Sequence, residues 1–296
     1  MLTNNKTYFL GIDGGGSKCK AIIVDQDLTV LGTGISGPAN PIHGFEQAVH
    51  SITESALIAL DNAGLEHVKL SELNAGIGLA GVNLPVLFEQ MSNWQHPFNQ
   101  MYLTTDLAIA CLGAHEGHDG AVMIAGTGSC GYSHVDDNTL IVGAHGFPHG
   151  DKGSGAWFGL QAAKQALLSL DDLTPTTSLA EDLLSHTGAT NAVEFVEAIA
   201  GKPATYYASF AGFVFARAAQ GDPIAKSIIE EGVSYLGQVA KKLSHQKPPR
   251  MSMIGGLSQL IWPWLEPEVQ AMLSEPVYPP EMGSVLFAQS QLATSN

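Results

Sequence analysis

Hydrophobic positions along this chain change their period in an order that occurs twice. Residues 8–13 form a short apolar run that stops at three glycines, and apolar residues resume over 21–24 and 29–35. That pattern predicts three strands, with a glycine hairpin between the first two. From 45 to 63 the period lengthens to a helical one, with Val49, Ile52, Ala56, Leu57 and Leu60 on one face. A strand over 75–79, a helix over 84–94 and a strand over 101–104 follow, and a helix opens at Asp106 and runs through Leu112. The order then restarts: a strand over 120–125, a glycine turn over 126–129, and strands over 131–134 and 141–144. Helical periodicity takes over across 155–169, 179–186, 192–200, 206–220 and 223–242, until a strand over 250–254 ends at Gly255-Gly256. The duplicated unit predicts an α/β chain of two related lobes around an interdomain cleft, divided near 117–120. The expected lobes are 1–117, with the segment 284–296 assigned to it as a return, and 118–283 with helical insertions.

Composition narrows the partners. A formal net charge of −15 argues against nucleic acid, whose phosphates are bound mainly by clustered Lys and Arg. Any phosphate site must therefore rest on backbone N–H groups, helix N-termini and a bound cation. The 33 glycines exceed the average share of roughly 7% and fall in bursts, marking turns where backbone approaches something closely. Cys19, Cys111 and Cys130 are odd in number and lack C-x-x-C spacing, which suits a reducing compartment. The N-terminal segment carries no basic region followed by a long apolar core, and no apolar run approaches the ~20 residues of a membrane helix. The expectation is a cytoplasmic protein without membrane or nucleic-acid partners; a homodimer is left open.

Three glycine turns follow strands: Gly14, Gly15, Gly16, Ser17 and Lys18 after Asp13; Gly126, Thr127, Gly128 and Ser129; and Gly255, Gly256 and Ser258. Each lets main-chain N–H groups and hydroxyls approach an anion without an intervening Cβ. Singly each is also an ordinary structural turn; together, two at matched places in duplicated lobes, they point to phosphate. The stretches 76–81 and 126–131 both fit G-x-G-x-x-G, yet the first lacks an acid about 20 residues on and the second runs into a strand, so a dinucleotide fingerprint is not supported. No G-x-x-x-x-G-K-[ST] occurs. His115 and His118 have metal-like spacing without an evident third ligand, His145 and His149 flank a Phe-Pro pair beside Asp151, and Trp262 and Trp264 flank Pro263; for each, a structural role stands beside any functional one. Asp106 reads either as a carboxylate at a cleft edge or as a helix N-cap.

At this density the motifs resemble a known superfamily, that of actin and hexokinase, with duplicated ribonuclease H-like lobes. Ile12-Asp-Gly-Gly-Gly-Ser-Lys18, Met123-Ile-Ala-Gly-Thr-Gly-Ser129 and Gly150-Asp-Lys-Gly-Ser-Gly155 are similar to its BadF/BadG-type ATPase branch, which includes N-acetylglucosamine and glucosamine kinases; residues 103–115 resemble the bacterial amino-sugar kinases in particular. The resemblance implies ATP and Mg²⁺ as cofactors and an amino sugar phosphorylated at its 6-hydroxyl. It implies that Asp13 holds Mg²⁺ through water and that 14–18 and 126–129 cradle the phosphates. Gly255, Gly256 and Ser258 would lie on the adenosine side, with Asp106 as catalytic base and Asn40, Asp106 and Asp151 as sugar ligands. Gly153, Gly155 and Gly283 resemble the interdomain connections. Cys130 stands where eukaryotic relatives place a polar sugar-contacting residue, which leaves glucosamine and N-acetylglucosamine both open. Two rivals share the fold: a nucleotide-dependent sensor, and an activator ATPase with an iron–sulfur cluster, whose C-x-G-Y-G-R-like cysteine context is missing here.

Overall fold

In the computed structural model, which describes residues 7–294, the chain falls into two units: 1–120 with 275–296, and 121–274. The first begins with β1 (Phe9–Gly14), β2 (Cys19–Val24) and β3 (Val30–Ser36), then α1 (Phe45–Asn62), β4 (Asn74–Leu79), α2 (Pro85–Ser92), β5 (Gln100–Thr105) and α3 (Asp106–Ala114). Its sheet has the order β3-β2-β1-β4-β5, with β1 antiparallel to β2 and parallel to β4, and β4 parallel to β5. Alternation along β1 sends Leu10 and Ile12 to one face, where they meet Ile52, Ala56 and Ala59 of α1. It sends Phe9, Gly11 and Asp13 to the other.

The second unit repeats the opening with β6 (Gly120–Ala125), β7 (Ser129–Val135) and β8 (Asn138–Gly143). Helices α4 (Gly155–Leu170), α5 (Ser178–Thr187), α6 (Ala192–Ile199), α7 (Ala204–Ala208), α8 (Ala211–Ala219) and α9 (Pro223–Ser244) come next, followed by β9 (Met251–Ile254), α10 (Ser258–Ile261) and α11 (Pro267–Met272). The sheet order β8-β7-β6-β9 matches the first unit's without its fifth strand, and β6 runs parallel to β9 as β1 does to β4. The fold is thus α/β and duplicated. Its core joins Ala121 and Met123 to Phe158, Phe195, Phe210, Ile229 and Leu236.

The chain returns to the first unit as α12 (Pro280–Thr294), a helix that no sequence pattern announced. Met282, Val285 and Ala288 cover Phe9, Ile22 and Val24. Burying Met282 or Val285 is worth about 1.5–3 kcal/mol each. Glycines let the backbones meet: a Cβ on Gly11 would lie 2.1 Å from the Glu281 carbonyl oxygen, and one on Gly76 would lie 1.8 Å from that of Ser284. This accounts for the glycines at 76 and 78 without any dinucleotide, since Gly78 makes room for the Ile109 side chain of α3. Because α12 is continuous across 283 and 284, the expected division there gives way to the one after Ser274.

Three other boundaries differ from the expected ones. The strand expected over 141–144 is Asn138–Gly143, since Ala144 has φ 59° and leaves the extended region. Ser129 and Cys130 belong to β7, not to the preceding turn. The helix expected over 206–220 is divided after Ala208, where Ser209 Oγ donates to the Tyr206 carbonyl at 2.6 Å and Phe210 N–H bonds to Tyr207 three residues back. Among the described residues no helix is long and apolar enough to cross a membrane.

Candidate functional site

In the first unit the predicted residues gather at the carboxyl ends of the parallel strands β1, β4 and β5, where open α/β sheets bind ligands. Asp13 is the penultimate residue of β1, level with Lys20 on β2 and Gly78 on β4. Its carboxylate receives no hydrogen bond or ion pair from the described residues. Burial, then the nearby charges of Glu281 and Asp106, push its pKa up to about 7, against the opposing pull of Lys18 and Lys20. Beyond it the chain turns tightly, with Gly15 N–H on the Lys18 carbonyl at 2.9 Å and open space where a Gly16 Cβ would stand. Two neighbouring loops tie this turn down: Ala39 N–H donates to Gly15 and Ala80 N–H to Gly14, both at 2.9 Å.

Asn40 follows Ala39. Its Oδ1 accepts from Ile42 N–H at 2.9 Å, capping a short 3-10 turn over Pro41–His43. Gly81, with φ 87°, lies so close that a Cβ there would be 2.3 Å from the same oxygen. Asp106 opens α3 but does not cap it. The cap is Thr105, whose hydroxyl accepts from Ala108 N–H at 3.2 Å. Asp106 Oδ1 accepts from the adjacent Leu107 N–H at 2.9 Å, and burial raises its pKa against that bond and one from its own N–H. Capping α3 thus falls to Thr105 and not to the Asp106 carboxylate.

In the second unit the turn over 126–129 and the turn over 255–258 end the paired strands β6 and β9. Leu257 N–H donates to the Ala125 carbonyl at 3.0 Å, and Gly255, at φ 105°, leaves no room for a Cβ against that residue. Ser258 is the first residue of α10. The carbonyls of Gly126 and Thr127 accept from Gly155 and Ala156 N–H at 2.8 and 3.2 Å, fastening the turn to the start of α4. Ser129 Oγ donates to the Lys152 carbonyl at 2.8 Å. Asp151, at φ 59°, accepts from Gly146 N–H at 3.2 Å, and its Oδ2 would be 2.8 Å from a Cβ on Gly128. Burial raises its pKa while the Gly146 and Ser129 N–H groups oppose the rise.

The sequence profile of the BadF/BadG/BcrA/BcrD ATPase family matches residues 10–288. The chain belongs to this family. A glucosamine kinase of Vibrio cholerae is 33% identical over 285 residues, 95% of each chain. An N-acetylmuramic acid/N-acetylglucosamine kinase of Clostridium acetobutylicum is 29% identical over 236 residues, 77% of this chain and 76% of the relative. Among solved structures, one described as an N-acetylglucosamine kinase of Chromobacterium violaceum superposes with a TM-score of 0.90 at 27% identity, over 96% of this chain and all of the other. A ROK family glucokinase of Streptomyces griseus, at a TM-score of 0.55 and 17% identity over 98% of this chain and all of the other, shares the fold.

For this member of the ATPase family, the structure groups Asp13, Asp106, Asn40 and the 14–18 turn in one unit. It groups Asp151, the 126–129 turn and the 255–258 turn in the other. Gly153 and Gly155 pack within the second unit, Gly153 against Gly232 and Leu236, and Gly283 packs on Ile109 of α3 within the first. Among the described residues no three His, Cys, Asp or Glu side chains are placed to hold a metal ion, His115 and His118 included. At Asp13, a carboxylate without a hydrogen-bonded partner among the described residues, disfavoured as an anion by its neighbours, is one that a divalent cation such as Mg²⁺ would fit. Sequence reasoning missed Thr105, Lys20 and Glu281. Lys20 alternates with Ile22 and Val24 on β2, a readable signal, whereas Glu281 lies on the helix that was not foreseen.

Proposed function

We propose that this sugar kinase transfers the γ-phosphoryl group of ATP to the 6-hydroxyl of an amino sugar, in the cytoplasm. Glucosamine is the first acceptor to try, because the relative matched over 95% of both chains is named a glucosamine kinase; N-acetylglucosamine is the second. Phosphoryl transfer is mostly positioning and charge stabilisation. Asp106 accepts the proton of the attacking hydroxyl, Asn40 and Asp151 orient the sugar, and the 14–18 and 126–129 turns hold phosphates through backbone N–H groups and hydroxyls. Gly255, Gly256 and Ser258 face the adenosine. Bound Mg²⁺ would supply positive charge to the phosphates beside Asp13.

The observation that carries this reading is Asp106 itself: a half-buried carboxylate at the head of α3, near enough to Asp13 to raise its pKa, on a helix already capped by Thr105. A coupled assay over hexoses and hexosamines, with the product's phosphate position read by NMR, tests substrate and regiochemistry together. Asp106→Asn should lower sugar phosphate formation by at least about a hundredfold, with ATP affinity and thermal midpoint near wild type. Thr105→Ala should instead lower stability by about 1 kcal/mol, as loss of an N-cap does. Full turnover in the Asp106 amide would place the base elsewhere.

A further inference from the structure

Lys20 stands directly opposite Asp13 in the antiparallel ladder of β1 and β2. Side chains so placed share a face, with Cβ atoms about 4.5–5.5 Å apart, and opposite charges there ordinarily pair. They do not pair here: the Lys20 ammonium is bonded to Glu281 Oε1, and the Asp13 carboxylate is left without a hydrogen-bonded partner among the described residues. Glu281 is 3% exposed and firmly placed. Its own carbonyl fills the space beside Gly11, and one turn on, Ser284 Oγ donates to the Ile12 carbonyl at 2.7 Å. Thus α12 delivers a buried carboxylate to the lysine that stands opposite Asp13 across the β1–β2 ladder.

We infer that Glu281 is a positioning residue for the phosphate end of the site: by holding Lys20 it keeps that ammonium off Asp13, whose carboxylate stays open to a divalent cation carried by the nucleotide. This rests on the assignment of Asp13 above. The competing explanation is a plain staple between α12 and β2, in which the pair matters only to folding. The two differ in what removal of the lysine does. If Glu281 acts by restraining Lys20, it becomes dispensable for Mg·ATP binding once Lys20 is gone; a staple is broken by either change and not mended by both.

The test is calorimetric titration of ATP with excess Mg²⁺ and, separately, ATP with EDTA, on wild type, Glu281→Gln, Lys20→Met/Glu281→Gln and Asp13→Ala, each with its thermal midpoint. Glu281→Gln should bind Mg·ATP about tenfold more weakly, since the freed ammonium pairs with Asp13, and bind metal-free ATP no more weakly than wild type. The double variant should recover Mg·ATP affinity to within about twofold of wild type even if its midpoint falls. The recovery alone carries the inference should Glu281→Gln fail to fold, because the double variant removes both charges of the Lys20–Glu281 pair and strands neither. A double variant at least about tenfold weaker than wild type for Mg·ATP, or parallel losses with and without Mg²⁺ in Glu281→Gln, would overturn it. Asp13→Ala separates this from the parent reading: unchanged Mg²⁺ dependence there removes the assignment of Asp13, whereas its loss there with wild-type behaviour in Glu281→Gln removes only the role of Glu281.

Discussion

A Cβ placed on Gly128 would come within 2.8 Å of Oδ2 of Asp151, a separation that real side chains do not show. Asp151 cannot retreat freely, because its backbone is left-handed and its Oδ1 is engaged by Gly146 N–H. The glycine therefore serves two groups at once, the phosphate expected above the turn and the carboxylate packed beneath it. Gly128→Val should weaken ATP binding about tenfold or more and also lower acceptor affinity, because Asp151 must move with the turn. Calorimetry showing wild-type ATP affinity would contradict this. Legibility at this scale follows from chemistry that is local in sequence. Asp13 and the turns at 14–18 and 126–129 announce themselves as strand ends followed by glycine. Asp106 was readable but ambiguous, and the Thr105 hydroxyl on Ala108 N–H removes only the N-cap reading. Glu281 carries no local signal, since its meaning comes from Lys20, far away in the chain.

Asp222 does comparable work between elements. Its Oδ1 accepts from Ile224 and Ala225 N–H at 3.0 Å to cap α9, while Oδ2 accepts from Leu179 N–H and Ser178 Oγ at 3.0 Å at the start of α5. Burial alone would raise its pKa, but hydrogen bonds from Ala225, Leu179, Ser178 and Thr177 outweigh that and hold it below the usual carboxylate range. A depressed folded-state pKa means stability that is complete above the unfolded value of about 3.9 and is lost as pH falls through the folded one. Asp222→Ala should therefore cost about 2 kcal/mol near pH 7, the upper range for a cap. The gap from wild type in thermal midpoint should close as the pH is lowered below about 4. A gap independent of pH would mean that the loss is one of packing. The helix over 223–242 was legible; the bond by which Asp222 also holds the start of α5 was not, because it spans 43 residues. Most strands and helices were legible by period. The exceptions have physical reasons: Ser209 tightens a helix that periodicity read as continuous, and α12 mixes Gly283, Ser284 and Glu281 among its buried positions, so it lacks a clean apolar stripe.

At the scale of the whole chain, the two units differ in how they are closed. Residues 121–274 are contiguous and hold a core of their own, from Ala121 and Met123 through Phe158, Phe210 and Leu236. A segment of that length can bury enough surface to fold alone. The first unit is discontinuous: without 275–296 the sheet face bearing Phe9, Ile22 and Val24 loses Met282, Val285 and Ala288, and Gly11 and Gly76 lose the α12 backbone packed against them. The segment 121–274 expressed alone should then melt in one cooperative transition. A chain ending at Ser274 should keep that transition while its first unit binds a hydrophobic dye and exchanges its β1 and β4 amides rapidly. Gly76→Val in the full chain should reproduce the defect without truncation, because its Cβ would stand 1.8 Å from the Ser284 carbonyl oxygen and α12 could not seat. Overpacking of this kind costs about 1–3 kcal/mol even where neighbours can shift, and a helix backbone shifts less readily than a side chain. Hydrogen exchange at β1 decides the matter: protection in the truncated chain equal to that of the full chain would show that the first sheet holds without its C-terminal helix.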